Sequence, residues 1–358
     1  MSTLAGTVKI AGDIEFFYEE SGLSGLDPTN YTTVVFIHGM GFNGAVLRKL
    51  FPFGAEHNYR VVSVYRRGYG SSTPWSEKEL ELLQSSDNND HKEYLCLAGL
   101  QIVGFLLAFA ASQSIPKYAK EQKTGGIILI GWSFGAVYPN AALTTLDALT
   151  TDELRDLESY LHTVVYYDMS LVATGLPSPR PYQSYLFAPT VEERWEIFKR
   201  WISSFFAHPN VYSGDSSDLE LIRPREDKPG SLRCLTDDEI VEITAPQMYA
   251  THDAATLAIK PEVFVSVVRR ALFDKQYASQ YLPDLKVRFV CGTESSGLFV
   301  HVVNEIRRCL DNGPSVVFGE GAEKARDVSG AYLERGNHFV FLDEPQWALA
   351  QFKSVVEH

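Results

Sequence analysis

Gly126-Ile127-Ile128-Leu129-Ile130-Gly131-Trp132-Ser133-Phe134-Gly135 is the stretch that decides the architecture. Its first half is a short unbroken apolar run, the pattern of a strand buried on both faces of a parallel sheet. Its second half is G-x-S-x-G. A strand running into that motif describes a sharp strand-to-helix turn that lifts a serine hydroxyl clear of the sheet. The two glycines have a physical reason: beside a strained serine, a larger side chain would collide with the neighbouring strand or helix. A helix from Phe134 through Ala142 is expected next, its first amides favouring negative charge that develops at Ser133.

Upstream, Thr33-Val34-Val35-Phe36-Ile37 reads as a second buried strand and ends in His38-Gly39-Met40-Gly41. A strand with that ending supplies half of an oxyanion hole, the amide of Met40 pairing with that of Phe134. The His38 side chain is read as a loop imidazole bonded to nearby backbone. A third strand, Arg60–Tyr65, leads to Arg67-Gly68-Tyr69-Gly70-Ser71-Ser72. Near the C-terminus the strand-like Ser329–Leu333 precedes Arg335-Gly336-Asn337-His338-Phe339. A histidine on a loop after the last strand can swing over the serine as general base.

In their order and spacing, HGMG, RGYGSS, GWSFG and GNH resemble the α/β-hydrolase family, over roughly residues 7–170 and 286–358. The stretch from Tyr166-Tyr167-Asp168 to Trp201-Ile202-Ser203-Ser204, and Tyr65-Arg66-Arg67 leading to Ser72-Thr73-Pro74, is similar to fungal members of it. The resemblance implies an α/β-hydrolase fold: a mostly parallel eight-stranded sheet with helices on both faces and a helical cap after the sixth core strand. The chain then divides into core (1–170), cap (171–285) and the rest of the core (286–358). Serine at the elbow separates the chain from epoxide hydrolases and haloalkane dehalogenases, which carry aspartate there.

A carboxylate is needed behind the histidine, to hold its tautomer and to stabilise the imidazolium formed as serine attacks. The family's usual place is three residues beyond a glycine after the seventh strand. Here that strand runs Lys286–Gly292, and the third residue on is Ser295, with Glu294 one place short. The other place the family uses is the end of the sixth strand, where Thr163-Val164-Val165-Tyr166-Tyr167 meets Asp168. Asp168 is taken as the acid and Glu294 as the alternative, with a chain lacking any working acid as the third case. Asp343 is read as the cap of the last helix.

Strands are expected near 7–10, 14–19, 33–37, 60–65, 126–131, 162–167, 286–291 and 328–333. Between the sixth and seventh the alternation breaks, and helical segments fall at Val191–Phe206, Asp237–Ile243, Met248–Ala258 and Pro261–Leu272. Thr190 stands as N-cap of the first of these. Tyr182, Tyr185, Trp195, Trp201, Tyr249 and Phe264 are the candidates for the wall of a substrate pocket. The polar run Gln84–Lys92 is expected to be a surface loop. Leu95–Ala111 is apolar enough to imitate a membrane span but shorter than the roughly 20 residues a span takes, and reads as a buried core helix.

The chain has 358 residues, 45% apolar and 12% aromatic, with a formal charge of −13. That charge argues against nucleic acid or an anionic membrane as partner. The four cysteines are scattered without metal or disulfide spacing, which suits a reducing compartment. Met1–Ile10 shows no basic and apolar leader pattern, so a soluble cytoplasmic protein is expected. A homodimer is compatible with the chain. With neither a metal-ligand cluster nor a dinucleotide fingerprint, no cofactor is called for. The expected activity is a serine hydrolase cleaving an ester or lactone of a hydrophobic or aromatic small molecule. Thioesterase, carbon–carbon hydrolase, acyltransferase or cyclase chemistry on the same residues, and a non-catalytic binding module, are the alternatives.

Overall fold

The computed structural model describes residues 3–181 and 188–357. Its eight strands are β1 (Leu4–Ile10), β2 (Ile14–Glu20), β3 (Thr32–Ile37), β4 (Tyr59–Val64), β5 (Ile127–Trp132), β6 (Leu161–Tyr167), β7 (Lys286–Gly292) and β8 (Asp327–Leu333). They form one sheet in the order β1-β2-β4-β3-β5-β6-β7-β8. The β1–β2 hairpin is antiparallel, as is the β2–β4 pair, and every later pairing is parallel. Parallel neighbours require crossovers, and the helices that provide them cover the sheet. In β3, β4 and β5 every residue is buried although successive side chains point to opposite faces, so both faces are covered.

Two groups of helices do the covering. The long helix Asn88–Gln113, started by Asp87 accepting from the Asn89 amide, lays Phe105 and Phe109 against Phe16 and Tyr18. By length and composition it could cross a membrane, but just over half of its apolar window (56%) is buried inside the protein. Gly99 is what lets it come close to the helix after the elbow: a Cβ there would stand 2.4 Å from the Ala141 carbonyl oxygen. The last helix, Pro345–Glu357, sets Phe352 against Phe36 and Tyr167.

The polar run Gln84–Lys92 is not one loop. Helix Glu77–Gln84 ends there and the long helix begins at Asn88, leaving only Ser85–Asp87 between them. Capping explains the correction, because Asp and Asn in that run start a helix and do not merely decorate a turn.

Between β6 and β7 the described residues add helices but no strand to the sheet. Thr190 caps the helix Val191–Ile202 in a reciprocal box with Glu193. That helix stops at Ile202, short of Phe206. The Met248–Ala258 stretch is broken by a wide turn over Tyr249–Asp253, and Pro261–Phe273 follows. This insertion is zipped to the loop after β3: the Asn43 amide donates to the Ile243 carbonyl at 2.9 Å and the Ala245 amide to the Gly41 carbonyl at 2.8 Å.

Candidate active site

The loops after β3, β5, β6, β7 and β8 carry the motif residues, so the site lies at the carboxyl ends of the strands. At the end of β5, Ser133 is held at φ 59°, in the left-handed region that a non-glycine residue avoids unless its surroundings force it. The forcing is visible at the flanking glycines. A Cβ on Gly131 would meet Ala136 Cα at 2.8 Å, and one on Gly135 would lie 2.5 Å from the carbonyl oxygens of both Ile37 and His38. Ser133–Ala136 forms a tight first turn, and the helix proper is Val137–Leu143. Gly39 packs directly on the serine: a Cβ there would lie 3.0 Å from Ser133 Cβ and 3.4 Å from its Oγ. Met40 and Phe134, whose amides are the expected oxyanion donors, are both buried.

After β8, His338 lies in a loop fastened from several sides. Trp132 donates its indole N–H to the His338 carbonyl at 3.0 Å, and the Tyr167 hydroxyl donates to the Asn337 carbonyl. The Asn337 side chain donates to Ser231 Oγ at 2.7 Å. Phe299 stacks on the imidazole with ring centres 4.4 Å apart. The ring Nδ1 stands 2.8 Å from Asp168 Oδ2. Asp168 follows β6 at φ 44° and is fully buried. Its other partners are the Gly292 amide, donating to Oδ1 at 3.0 Å, and the Ser295 hydroxyl, donating to Oδ2 at 2.5 Å. Those acceptor bonds keep the carboxylate in place and leave Nδ1 of His338 as the protonated nitrogen, with Nε2 as the basic one. Burial lowers the His338 pKa below its ordinary value, and the hydrogen bond to Asp168 opposes part of that.

Glu294, the alternative acid, is engaged elsewhere, paired with Arg225 at 2.5 Å and Lys228 at 2.6 Å. Its backbone, not its side chain, meets the histidine loop, the Glu294 amide donating to the Gly336 carbonyl at 2.8 Å. Ser295, at the position where the family's acid was expected, hydrogen-bonds Asp168. Asp343 does not act as the expected cap. It closes the short helix Val340–Asp343, and its carboxylate accepts from the Ser231 hydroxyl at 2.6 Å.

Of the pocket-wall candidates, Tyr182 and Tyr185 lie outside the described residues. Trp195 is buried against Phe42 and Tyr249, and its ring edge would be 2.5 Å from a Cβ on Gly41, one residue from Met40. Tyr249 Cβ lies on the same glycine. Trp201 sits farther along the insertion, against Phe206 and Phe299, with its indole N–H donating to the Leu221 carbonyl. Phe264 is fully buried in the helix Pro261–Phe273. That helix packs on Val137–Leu143, the helix after the elbow, and on the long helix Asn88–Gln113.

Two residues that sequence reasoning did not single out join the site. Arg66 and Asp253 are buried and paired at 2.9 Å, and both bond the loop carrying Met40. Asp253 sits in a stretch with no motif, so nothing in its local sequence marks it. His38 behaves as the expected loop imidazole: its Nε2 accepts from the Arg66 amide at 3.1 Å, and Nδ1 lies 3.0 Å from the Gly39 carbonyl. Among the described residues no group of histidine, cysteine, aspartate or glutamate is arranged to hold a metal ion.

The sequence profile described as the Alpha/beta hydrolase family matches residues 34–351. No curated protein matches the chain. Among solved structures, a bromoperoxidase from Bacillus anthracis aligns at 14% identity over 98% of this chain and 100% of its own, with a TM-score of 0.51. A laboratory-evolved variant of potato epoxide hydrolase aligns at 14% identity over 100% and 99%, with a TM-score of 0.54. A protein from Burkholderia cenocepacia, provisionally described as an aryl esterase, aligns at 13% identity over 99% of each chain with a TM-score of 0.50. At such identities the likeness is one of fold. The profile covers most of the chain and the eight-stranded sheet carries its motifs at the strand ends, so this protein belongs to the α/β-hydrolase family.

Proposed function

We propose that the protein is a serine hydrolase that cleaves an ester or lactone of a hydrophobic small molecule through an acyl-enzyme on Ser133. The observation that carries this reading is the buried contact of 2.8 Å between His338 Nδ1 and Asp168 Oδ2, at strand ends adjoining the elbow that presents Ser133. With Nδ1–H held by Asp168, Nε2 takes the serine proton as Oγ attacks the carbonyl carbon. The amides of Met40 and Phe134 hold the oxyanion of the tetrahedral intermediate. The imidazolium then returns the proton to the leaving alkoxide. A water deprotonated by the same Nε2 releases the carboxylic acid and restores Ser133.

Burial supports the reading energetically. Ser133 is 7% exposed and His338 is 1% exposed, so charge developing between them is poorly screened and the fixed donors act at close to full strength. The rings of Trp195, Phe42 and Tyr249 pack together beside the Met40 loop, apolar surroundings that favour an apolar or aromatic acyl group. Turnover of aryl esters, lactones and thioesters by the wild type beside Ser133→Ala tests the proposal. Hydrolysis of aryl esters or lactones that disappears in the variant supports it. Equal hydrolysis by both proteins, or turnover of thioesters alone, overturns it.

A further inference from the structure

We propose that Arg66 and Asp253 are a positioning pair that aligns the Met40 amide, and that the insertion after β6 completes the oxyanion hole by supplying Asp253. The inference rests on Ser133 being the nucleophile of the proposed reaction. Arg66 follows β4 and Asp253 belongs to the insertion; the two side chains are 1% and 0% exposed. Arg66 Nη1 donates to Asp253 Oδ1 at 2.9 Å, and Nη2 lies 3.3 Å from Oδ2.

Each partner grips one of the two peptide groups that flank Met40 Cα. Arg66 Nη2 donates to the Gly39 carbonyl at 2.9 Å, and His38 Nδ1 donates to the same oxygen at 3.0 Å, its Nε2 being occupied by the Arg66 amide. The Gly39 carbonyl and the Met40 N–H share one planar trans peptide and therefore point in opposite directions. Fixing the oxygen fixes the N–H. Donors on that carbonyl also polarise the peptide in the sense that strengthens the Met40 N–H as a donor. On the other side, the Gly41 amide donates to Asp253 Oδ2 at 2.9 Å and the Gly41 carbonyl accepts from the Ala245 amide at 2.8 Å. Gly41 itself is held at φ 70°. Tyr69 donates its hydroxyl to Asp253, and Tyr138 accepts from Arg66 at 3.0 Å, so the pair is anchored from behind.

Stability alone does not account for such a pair. Replacing a buried ion pair with apolar residues of similar volume is often neutral or better. Here the pair sets the direction of one amide. The charges come from different parts of the chain, so the amide is aligned only when the insertion is seated on the core.

The test uses Asp253→Asn, which keeps the shape and can still accept from Gly41, and Arg66→Lys, which keeps the charge but loses the fork. An aryl ester and its thiono counterpart, with sulfur replacing the carbonyl oxygen, are the substrates. A sulfur anion is a poor hydrogen-bond acceptor, so the thiono ester draws little from the oxyanion donors. For a folded variant, kcat on the oxo ester is expected to fall on the order of a hundred-fold, with KM changed less than about threefold. The oxo-to-thiono rate ratio should fall with it. Should the Asn variant not fold, Arg66→Lys carries the same test with both charges present. Wild-type kcat in a folded variant, or equal losses on the two esters, overturns the positioning role. Failure of the wild type itself to acylate Ser133 would instead remove the reading on which the inference rests.

Discussion

Asp168→Asn is the perturbation whose consequence the geometry specifies most fully. Asparagine tolerates the left-handed backbone at this position, where φ is 44°, so the loop need not move. The side chain must still satisfy the Gly292 amide, which donates to Oδ1 at 3.0 Å, and that keeps the amide oxygen on the Oδ1 side. The new NH2 then faces His338 Nδ1, at 2.8 Å, and Ser295 Oγ, at 2.5 Å. It can only donate, so the imidazole must present Nδ1 as acceptor and carry its proton on Nε2. In that tautomer His338 cannot take a proton from Ser133. Flipping the amide restores the right tautomer but sets two donors against each other at Gly292, an unsatisfied buried group costing about 1–3 kcal/mol. The wrong tautomer therefore dominates, and the flipped minority is left without a charge to stabilise the imidazolium. Loss of such an acid lowers turnover on the order of ten-thousand-fold, which is about 5 kcal/mol of transition-state stabilisation. The assay is steady-state hydrolysis of an aryl ester, with Glu294→Gln measured beside it. Glu294 pairs with Arg225 and Lys228, both about a third exposed, and such bridges contribute about 0–1 kcal/mol, so that variant should keep its turnover. A mild defect in Asp168→Asn with a severe one in Glu294→Gln would make Glu294, not Asp168, the partner of His338.

Other perturbations read other parts of the site. Burial lowers the His338 pKa below 6.5 in the folded protein, so kcat/KM should be level near pH 7 and fall through an acid limb whose midpoint lies below 6.5; a midpoint above 7 would contradict this. The same sign governs stability: His38, His252 and His338 all have folded pKa values depressed chiefly by burial, so their contribution is full above the unfolded value of 6.5 and is lost as pH falls below it, which urea melts across that range would register. Gly135→Ala would drive a methyl group to 2.5 Å from two carbonyl oxygens of β3 and its loop and should cost about 3 kcal/mol by denaturant unfolding, a loss under about 1 kcal/mol being inconsistent with the close approach. Ser295→Ala removes one of three partners of Asp168 while leaving His338 and Gly292 in place, so turnover should drop about tenfold, far less than in Asp168→Asn, and equal defects would mean that Ser295 does more than support the acid.

Much of the fold was legible because strands buried on both faces are short apolar runs punctuated by glycine or polar residues. All eight predicted strands coincide with β1–β8 to within about three residues at each end. The nucleophile turn was legible for a local reason, since the glycines at 131 and 135 mark collisions that only a strand-to-helix elbow creates. Local sequence favoured Asp168 over Glu294 from its place at a strand end, but could not show what each carboxylate is bonded to. Arg225 and Lys228, nearly 70 residues away in the chain, occupy Glu294. Asp253 was invisible for a similar reason: its partners, Arg66 and the Gly41 amide, lie 187 and 212 residues away, and no spacing rule connects them. The boundary errors were errors of capping and helix ending, at Asp87 and at Ile202, where side-chain hydrogen bonds outweigh composition.

Activation of Ser133 as a nucleophile is read by the intact mass of the protein after treatment with a fluorophosphonate, beside Ser133→Ala. One phosphonyl adduct on the wild type and none on the variant is the predicted result, because attack at phosphorus needs the serine, the base and the oxyanion donors together. A folded wild-type protein that takes up no adduct, or a variant labelled equally well, would contradict the account.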